Sequence, residues 1–223
     1  MQERYLRNIP ALTSEECHLL EKKRVLIAGC GGLGGNLINL LARLGVGTLR
    51  IADGDVFEAT NLNRQLFSEV SELGNNKALV AAQKVARINP DITVEPVAEF
   101  ITKENVQQML CGCDAVVDAL DNIPGRKILA AACAQSGIPF VYGAVSGWIA
   151  QAAVAMPGDE LMERLYPENA PCQEIGALSF TPALCASVQA ALCVKLLAGQ
   201  PVSNHKIYYF DLFNQDFETI SVV

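Results

Sequence analysis

The chain has 223 residues, is 51% hydrophobic and carries a net charge of −7 at pH 7, totals that fit one large domain with a sizeable core. The acidic balance argues against nucleic acid or an anionic membrane surface as the main partner. No apolar run approaches the roughly 20 residues of a membrane span, so we expect no membrane partner.

The cysteines indicate reduced thiols rather than disulfides or zinc. Most of the eight lie in apolar or helical patterns, where a thiol behaves as a small hydrophobe. Cys111 and Cys113 are spaced C-x-C, and the sequence contains no C-x-x-C pair, so we expect no structural zinc site. The first residues lack the apolar core of a signal peptide, and we therefore expect a cytoplasmic protein.

The N-terminal segment predicts one short helix. Thr13 with Glu16 forms the pattern of a capping box, which opens a helix ending near Lys22. Arg4 and Arg7 precede this helix on an N-terminal arm. Sequence periodicity predicts no more for this arm than a solvated tail.

A glycine-rich turn follows the first predicted strand, Val25–Ala28. Gly29, Gly31 and Gly34 give the spacing G-x-G-x-x-G, and a helical apolar pattern follows them. Without Cβ atoms, such a turn lets phosphate oxygens reach the backbone N–H groups at the start of the helix. The pattern favours a nucleotide site over an empty strand–helix turn, but it does not separate a dinucleotide from ATP.

The second predicted strand, Thr48–Ala52, delivers an acidic residue and a polar segment to the same region. Asp53 follows the strand directly, where a ribose hydroxyl pair would be held, although Asp is also common in turns. The long segment that follows is polar, and long irregular connections are usually functional. Its neutral and cationic donors suit phosphate oxygens: Asn61, Asn63, Arg64 and Gln65.

A third helix is predicted over about Asn76–Ile88, with Lys77 in its first turn. A cation there works against the helix dipole, so it indicates either a ligand anion nearby or a solvated side chain.

Further strands are predicted at Ile92–Val97 and Asp114–Asp118, with a helix over Lys103–Leu110 between them. The second of these strands delivers Asp121 and Asn122 to its carboxyl end, where ligands of doubly wound sheets bind. Asp121 is a candidate ligand of magnesium or of a ribose; alternatively it caps the helix that contains Pro124.

One more helix and strand complete the parallel part of the predicted sheet, and the pattern changes after them. A helix over Ile128–Ala134 and a strand at Pro139–Gly143 complete an alternation typical of a Rossmann-like, mainly parallel α/β sheet with helices on both faces. The remainder predicts an antiparallel extension, which we interpret as a platform for a macromolecular substrate. Its predicted parts are a strand at Ile149–Met156, an irregular stretch over Pro157–Gln173, an apolar helix over Pro182–Ala198 and a hairpin of Lys206–Asp211 with Phe217–Val222.

Several stretches together carry a family resemblance. In chain order they are Arg4–Arg7, Gly29–Gly34, Asp53–Asp55, Asn61–Gln65, Gly74–Lys77, Asn89–Pro90 and Asp118–Asn122. In this order and spacing they resemble the ThiF/MoeB/HesA family, the bacterial relatives of ubiquitin-activating enzymes.

The resemblance implies an ATP-dependent adenylyltransferase with ATP and Mg²⁺ as cofactors. Its substrate would be the C-terminal glycine carboxylate of a small ubiquitin-like sulfur carrier of the ThiS or MoaD type, ending in Gly-Gly. The enzyme would be a homodimer with a single domain over 1–223, in which a nucleotide-binding half of about 1–145 precedes a carrier-binding part of about 146–223.

The resemblance also implies roles for individual residues. By position, Asp53 would hold the ribose, Arg64 and Lys77 would grip the triphosphate, Asp121 would bind magnesium, and Arg7 would reach the ATP of the neighbouring subunit. The other implied nucleotide-binding residues are Gly29, Gly31, Gly32, Gly34, Asp55, Asn61, Gln65 and Asn122.

Two features depart from the family pattern. Relatives usually carry two zinc-binding C-x-x-C pairs in the second part, and both are missing here, so the resemblance implies a compact, zinc-free variant. Cys172 falls near the place where some relatives have a cysteine that takes the activated carrier as a thioester or acyl disulfide. It is a catalytic candidate if its pKa is lowered, and otherwise a structural or idle cysteine.

Three alternative functions stay open from the sequence. An NAD-dependent oxidoreductase would use the same glycine pattern, but it leaves Arg64, Lys77 and Asp121 without a task. A tRNA threonylcarbamoyladenosine dehydratase-like enzyme would share the ATP chemistry, but a pI of about 4.9 weighs against tRNA as substrate. A scaffold that binds a nucleotide or a ubiquitin-like partner without turnover is the third.

Overall fold

The computed structural model describes residues 2–167 and 176–222, and its centre is one eight-stranded sheet. The strand order is β3-β2-β1-β4-β5-β6-β7-β8. The strands are β1 (Arg24–Ala28), β2 (Thr48–Ala52), β3 (Thr93–Val97), β4 (Ala115–Asp118), β5 (Phe140–Ser146), β6 (Ile149–Ala155), β7 (Lys206–Asp211) and β8 (Asp216–Ser221).

The sheet is parallel from β3 to β5 and antiparallel from β5 to β8. This arrangement confirms the prediction of a Rossmann-like sheet extended by antiparallel strands. The order changes direction at β1, because β2 lies on one side of it and β4 on the other. A crevice opens at such a switch point beyond the carboxyl ends of the strands.

Helices cover both faces of the sheet. They are α1 (Ser14–Leu20), α2 (Gly32–Leu44), α3 (Lys77–Ile88), α4 (Val106–Leu110), α5 (Ile123–Ser136), α6 (Leu161–Leu165) and α7 (Phe180–Leu197). The core on one face contains buried residues of α1, α2, α3 and α7, and the core on the other contains those of α4, α5 and α6. Short 3₁₀ helices occur at Glu3–Asn8, Ala59–Asn61 and Val70–Glu72.

The N-terminal arm differs from the predicted solvated tail. It forms the 3₁₀ helix Glu3–Asn8, in which Tyr5 is buried. The Tyr5 hydroxyl accepts a hydrogen bond from Asn89 Nδ2 (2.7 Å), and Arg4 donates to Asn89 Oδ1 and pairs with Asp91 (3.0 Å). The arm is fixed because a buried aromatic ring and an asparagine at the end of α3 anchor it.

Two predictions about the second part were wrong in detail. The stretch predicted to be irregular contains the short helix α6, whose Leu161 and Met162 are buried in the core. Helix α7 is 18 residues long and, by length and composition alone, apolar enough to cross a membrane, which corrects the expectation that no segment approaches a span. Its apolar character has another physical cause, since 56% of the helix is buried inside the protein.

Candidate active site

The glycine turn between β1 and α2 is shaped by close backbone contacts. Gly29 has φ +102°, and a Cβ atom there would lie 2.6 Å from the carbonyl oxygen of Ala119. A Cβ atom at Gly34 would lie 1.9 Å from the carbonyl oxygen of Gly29. Gly31 is the N-cap of α2 and has no side chain to satisfy the N–H groups of the first turn. These donors are therefore available to an anion.

Asp53 joins the glycine turn to the loop after β2. Its two carboxylate oxygens accept hydrogen bonds from the backbone N–H groups of Cys30 (2.7 Å) and Asp55 (2.9 Å). Burial raises the pKa of Asp53, while these two hydrogen bonds oppose the rise. Each carboxylate oxygen has a further lone pair, so the side chain can still accept hydrogen bonds from ribose hydroxyls.

Gln65 leaves an unsatisfied polar atom beside the glycine turn. The side chain is 7% exposed and lies against Gly31, where a Cβ atom would be 3.5 Å from Gln65 Nε2. Within the described residues, Gln65 Oε1 is buried without a hydrogen-bond partner. Buried polar atoms are nearly always paired, so this oxygen indicates a missing donor at the turn. Asn61, also 7% exposed, instead uses Oδ1 to accept from Glu58 N–H (3.0 Å).

Arg64 provides positive charge at the N-terminus of α2. Its aliphatic chain passes Gly32, where a Cβ atom would lie 3.5 Å from Arg64 Cγ. The guanidinium donates to the carbonyl oxygen of Thr60 and to Asn63 Oδ1, both at 2.9 Å. Among residues 2–167 and 176–222, no carboxylate forms an ion pair with it. Its charge is thus available to a phosphate group.

Lys77 is buried at the start of α3 and pairs with Asp55. The ion pair and its hydrogen bond lower the pKa of Asp55. The solvated alternative for Lys77 is wrong, because the residue is only 6% exposed. A lysine in the first turn of a helix is stabilised by a nearby negative charge, and the Asp55 carboxylate provides that charge within the protein. The position of Lys77 therefore does not by itself indicate a ligand anion. Its ammonium group nevertheless lies close enough to Asp53 for its charge to oppose the rise in the pKa of that carboxyl. Asn76 Nδ2 ties the same loop to α3, because it donates to the carbonyl oxygens of both Asp53 and Asp55.

The loop after β4 brings a carboxylate to the other side of the glycine turn. Asp118 is aligned with Ala28 in the sheet, and Ala119 N–H donates to the carbonyl oxygen of Ala28 (2.8 Å). Asp121 is exposed and accepts one hydrogen bond from Asn122 Nδ2 (3.3 Å). The alternative in which Asp121 caps the following helix is wrong, because Asn122 is the N-cap of α5. Its Oδ1 accepts from the backbone N–H of Gly125 (2.8 Å).

A buried arginine that sequence analysis missed fixes this loop. Arg126, 6% exposed, donates to the carbonyl oxygens of Leu120 and Gly143 and lies 3.5 Å from Asp118 Oδ2. Burial raises the pKa of Asp118 to about 6, although Arg126 opposes the rise. The sequence could have indicated this residue, because a cation near the N-terminus of a helix works against the helix dipole and therefore needs a negatively charged or polar partner. The same pattern drew attention to Lys77.

Two predicted site residues lie apart from this cluster. Arg7 is exposed on the N-terminal 3₁₀ helix, next to Asn8, whose side chain donates to the carbonyl oxygen of Leu44 (3.4 Å). Leu44 is the last residue of α2, whereas the glycine turn lies at the first, about 20 Å away at 1.5 Å per residue. Arg7 therefore does not reach the turn of its own chain. Cys172 lies outside the described residues.

Comparison of the sequence with known proteins gives one family and several similar enzymes. The model of the ThiF family matches residues 4–222. The chain is 37% identical over 209 residues to the SAMP-activating enzyme E1 of Haloferax volcanii, covering 90% of this chain and 77% of that one. It is 34% identical over 212 residues to the molybdopterin-synthase adenylyltransferase of Salmonella typhimurium, covering 92% and 85%.

Solved structures share the fold. The E. coli MccB structure with ATP superposes with a TM-score of 0.83 and covers 100% of this chain and 72% of that chain; at 21% identity it shows the fold alone. The E. coli tRNA N6-threonylcarbamoyladenosine dehydratase TcdA gives a TM-score of 0.76 at 26% identity, covering 88% of this chain and 94% of that one.

Proposed function

The chain belongs to the ThiF family and is an adenylyltransferase, and we propose that it activates the C-terminal glycine of a small ubiquitin-like sulfur carrier ending in Gly-Gly. The carrier carboxylate attacks the α-phosphorus of ATP, an acyl-adenylate forms and pyrophosphate leaves. The observation that carries the proposal is the glycine turn at α2, whose first-turn N–H groups have no side-chain cap, with the side chain of Arg64 beside it. The names of the Haloferax and Salmonella relatives support the substrate class.

This reaction needs no nucleophile from the protein. A carboxylate that displaces pyrophosphate requires in-line placement and positive charge where negative charge develops on the phosphate oxygens. We assign the ribose to Asp53 and the triphosphate to the α2 N-terminus, Arg64 and Lys77. Asn61 and Gln65 line the nucleotide pocket. For Lys77 to contact a phosphate, its ammonium must share or leave its pairing with Asp55.

We assign magnesium to Asp121. Magnesium is commonly held by one or two carboxylates together with substrate phosphates, and it neutralises charge on those phosphates. Within the described residues, the exposed carboxylate of Asp121 accepts one weak hydrogen bond, from Asn122 (3.3 Å), and so suits a cation. Arg126 holds the carbonyl oxygen of the preceding residue, Leu120, and thereby positions the loop.

We further propose a homodimer in which Arg7 acts on the ATP of the partner subunit. Its position at the far end of α2 from the turn supports action in trans. Arg7→Ala and Arg64→Ala should each be nearly inactive in exchange of pyrophosphate with ATP. Mixed after reversible dissociation, the two variants should regain activity, because a heterodimer contains one site with both arginines. A mixture as inactive as its components would contradict this assignment.

Several broader features belong to the same proposal. We propose that residues 1–223 act as one adenylation domain in the cytoplasm, and the continuous sheet and the seven free cysteines in the described part support this. The role of Cys172 as a thiol that receives the activated carrier stays a prediction. Mass spectrometry of the enzyme after incubation with ATP and carrier would detect that link.

The structural similarity to TcdA favours one second candidate, an ATP enzyme that acts on tRNA. The deciding experiment is exchange of labelled pyrophosphate into ATP, with a panel of ThiS- and MoaD-type carriers in one arm and total tRNA in the other. We expect exchange only with a carrier that retains its Gly-Gly end. Exchange that requires tRNA, or none with any carrier, would contradict the proposal.

A further inference from the structure

One buried side chain joins the N-terminal arm to the ends of two helices. Asn89 is the C-cap of α3 and is 2% exposed. Its Nδ2 donates to the Tyr5 hydroxyl and to the carbonyl oxygen of Ala42 in α2, both at 2.7 Å. Its Oδ1 accepts from Arg4 (2.5 Å) and from the backbone N–H of Asp91 (3.3 Å). Both donors and both acceptor sites of this amide are therefore used.

The ring of Tyr5 is the second attachment of the arm. Of the residues Glu3–Asn8, all of which the structure describes, only Tyr5 is buried. Its ring lies against Gly45 at the end of α2, where a Cβ atom would be 2.7 Å from two ring carbons. Asn8 adds a weaker contact, a 3.4 Å hydrogen bond to the carbonyl oxygen of Leu44. The position of the arm therefore depends mainly on the Tyr5 ring and on the amide that holds its hydroxyl group.

The two arginines of the arm have different environments. Arg4 is held against the body of the protein by Asn89 and by an ion pair with Asp91 (3.0 Å). Arg7, one 3₁₀ turn further on, is exposed. In the parts of the chain that the structure describes, no carboxylate forms an ion pair with Arg7. The arm thus fixes one arginine to its own subunit and presents the other, with its charge unneutralised, to a neighbouring molecule.

Asn89 is remote from the nucleotide site of its own subunit. It follows the last residue of α3, whereas Lys77 at the nucleotide site is the first, about 18 Å away at 1.5 Å per residue. The hydrogen bonds of the Asn89 side chain go to the arm, to the end of α2 and to the residue two positions further on. An effect of Asn89 on catalysis would therefore be transmitted by the arm rather than by contact with the ATP of its own subunit.

A charge supplied by a neighbouring subunit is most effective when it is in place before the reaction begins. Donors that stabilise developing charge act through preorganisation, because ordering them during the reaction would offset part of the stabilisation. We propose that Asn89 is a positioning residue for catalysis in trans: its amide locks the arm of one subunit so that Arg7 meets the phosphates of ATP in the partner. This inference rests on the proposed function, and specifically on the trans role of Arg7. It adds the residue that makes the arm rigid.

The first test compares three variants in pyrophosphate exchange, with the ThiS- or MoaD-type carrier that supports exchange by the wild-type enzyme. Asn89→Ala should lower kcat about tenfold to hundredfold, since a misplacement of about 1 Å can cost about 10²-fold. Tyr5→Phe keeps the ring over Gly45 and loses only the hydroxyl group, so its loss of kcat should be several-fold. Val85→Ala is the control for stability, because it truncates a fully buried core side chain of the same helix. It should unfold at a lower temperature but keep wild-type kcat when assayed well below that temperature.

The second test assigns the defect to one of the two subunits. Asn89→Ala is mixed, after reversible dissociation, either with Arg64→Ala or with Arg7→Ala. With Arg64→Ala, each mixed dimer has one complete site, formed by the intact nucleotide turn of one subunit and the intact arm of the other. About half of the dimers are mixed, so exchange should reach about a quarter of the wild-type rate. With Arg7→Ala both arms are defective, and exchange should stay at the level expected from the separate variants.

Wild-type kcat in Asn89→Ala, or an equal loss in Asn89→Ala and Val85→Ala, would overturn the inference. Recovery of exchange with Arg7→Ala but not with Arg64→Ala would also overturn it, because the defect would then lie in the nucleotide site of the altered subunit. Recovery with both or with neither would show that the arm is not the cause. Failure of the proposed function is distinct: the wild-type enzyme would show no carrier-dependent exchange, or the mixture of Arg7→Ala with Arg64→Ala would stay inactive.

Discussion

Replacing Arg64 by alanine is expected to slow carrier-dependent pyrophosphate exchange about 10²–10³-fold, the usual cost of removing one preorganised donor to developing charge. Arg64 passes over the first residue of α2, and no carboxylate in the described part of the chain neutralises its charge. Lys77→Ala should produce a loss of similar size. Its removal also leaves Asp55 without its cation, so negative charge would accumulate next to the phosphates.

Arg43→Ala is the matched control for Arg64→Ala. Arg43 lies in the last turn of the same helix and is exposed, and among the residues that the structure describes it donates only to Asn39 of its own helix (2.8 Å). Exchange in this variant should match that of the wild-type enzyme, and Arg43→Ala and Arg64→Ala should unfold at similar temperatures. Near-normal exchange in Arg64→Ala or Lys77→Ala would show that the triphosphate binds elsewhere.

Gly34→Ala is expected to abolish detectable ATP binding and to lower the free energy of unfolding by about 1–3 kcal/mol, the range found for overpacked cores. The new methyl group would lie 1.9 Å from the carbonyl oxygen of Gly29, so the backbone of the turn must move. Thermal unfolding and titration with a fluorescent ATP analogue measure the two effects separately.

Gly35→Ala provides the control at the next position. A Cβ atom there would meet Leu66 and Phe67 at 3.5–3.6 Å, which is ordinary van der Waals contact. Alanine is also the better helix former by up to about 1 kcal/mol, so stability should be unchanged or higher and ATP should still bind. If the two variants bound ATP equally well, the glycine turn would not be the phosphate site.

The parallel half of the fold could be predicted from sequence because its signals are local. The second strand matches its predicted range, Thr48–Ala52, and the capping box of Thr13 and Glu16 forms at α1 as expected. The N-terminal arm could not be predicted in the same way. Its 3₁₀ helix depends on contacts of Arg4 and Tyr5 with Asn89, more than 80 residues away, and periodicity contains no information on such pairs.

The candidate site was predictable in its parts but not in its pairings. Chain order placed Asp53 and Asp121 near the ends of the parallel strands, because the carboxyl ends of such strands share one edge, and it placed Arg64 in the polar segment that follows Asp53. It did not show that Lys77 is paired with Asp55, or that the side chain of Gln65 is buried against Gly31. Both facts depend on how the loop after β2 folds back on α2, which is a tertiary property.

Transfer of an adenylyl group from ATP to the C-terminal glycine of a ubiquitin-like carrier can be observed on the carrier itself. Intact mass spectrometry of the carrier, quenched in acid after incubation with enzyme, ATP and Mg²⁺, tests it most directly. We expect a carrier heavier by one adenylyl group, with the addition lost on exposure to hydroxylamine and absent when the final Gly-Gly is deleted. An unmodified carrier across the whole ThiS- and MoaD-type panel, with adenylate found on tRNA instead, would contradict it.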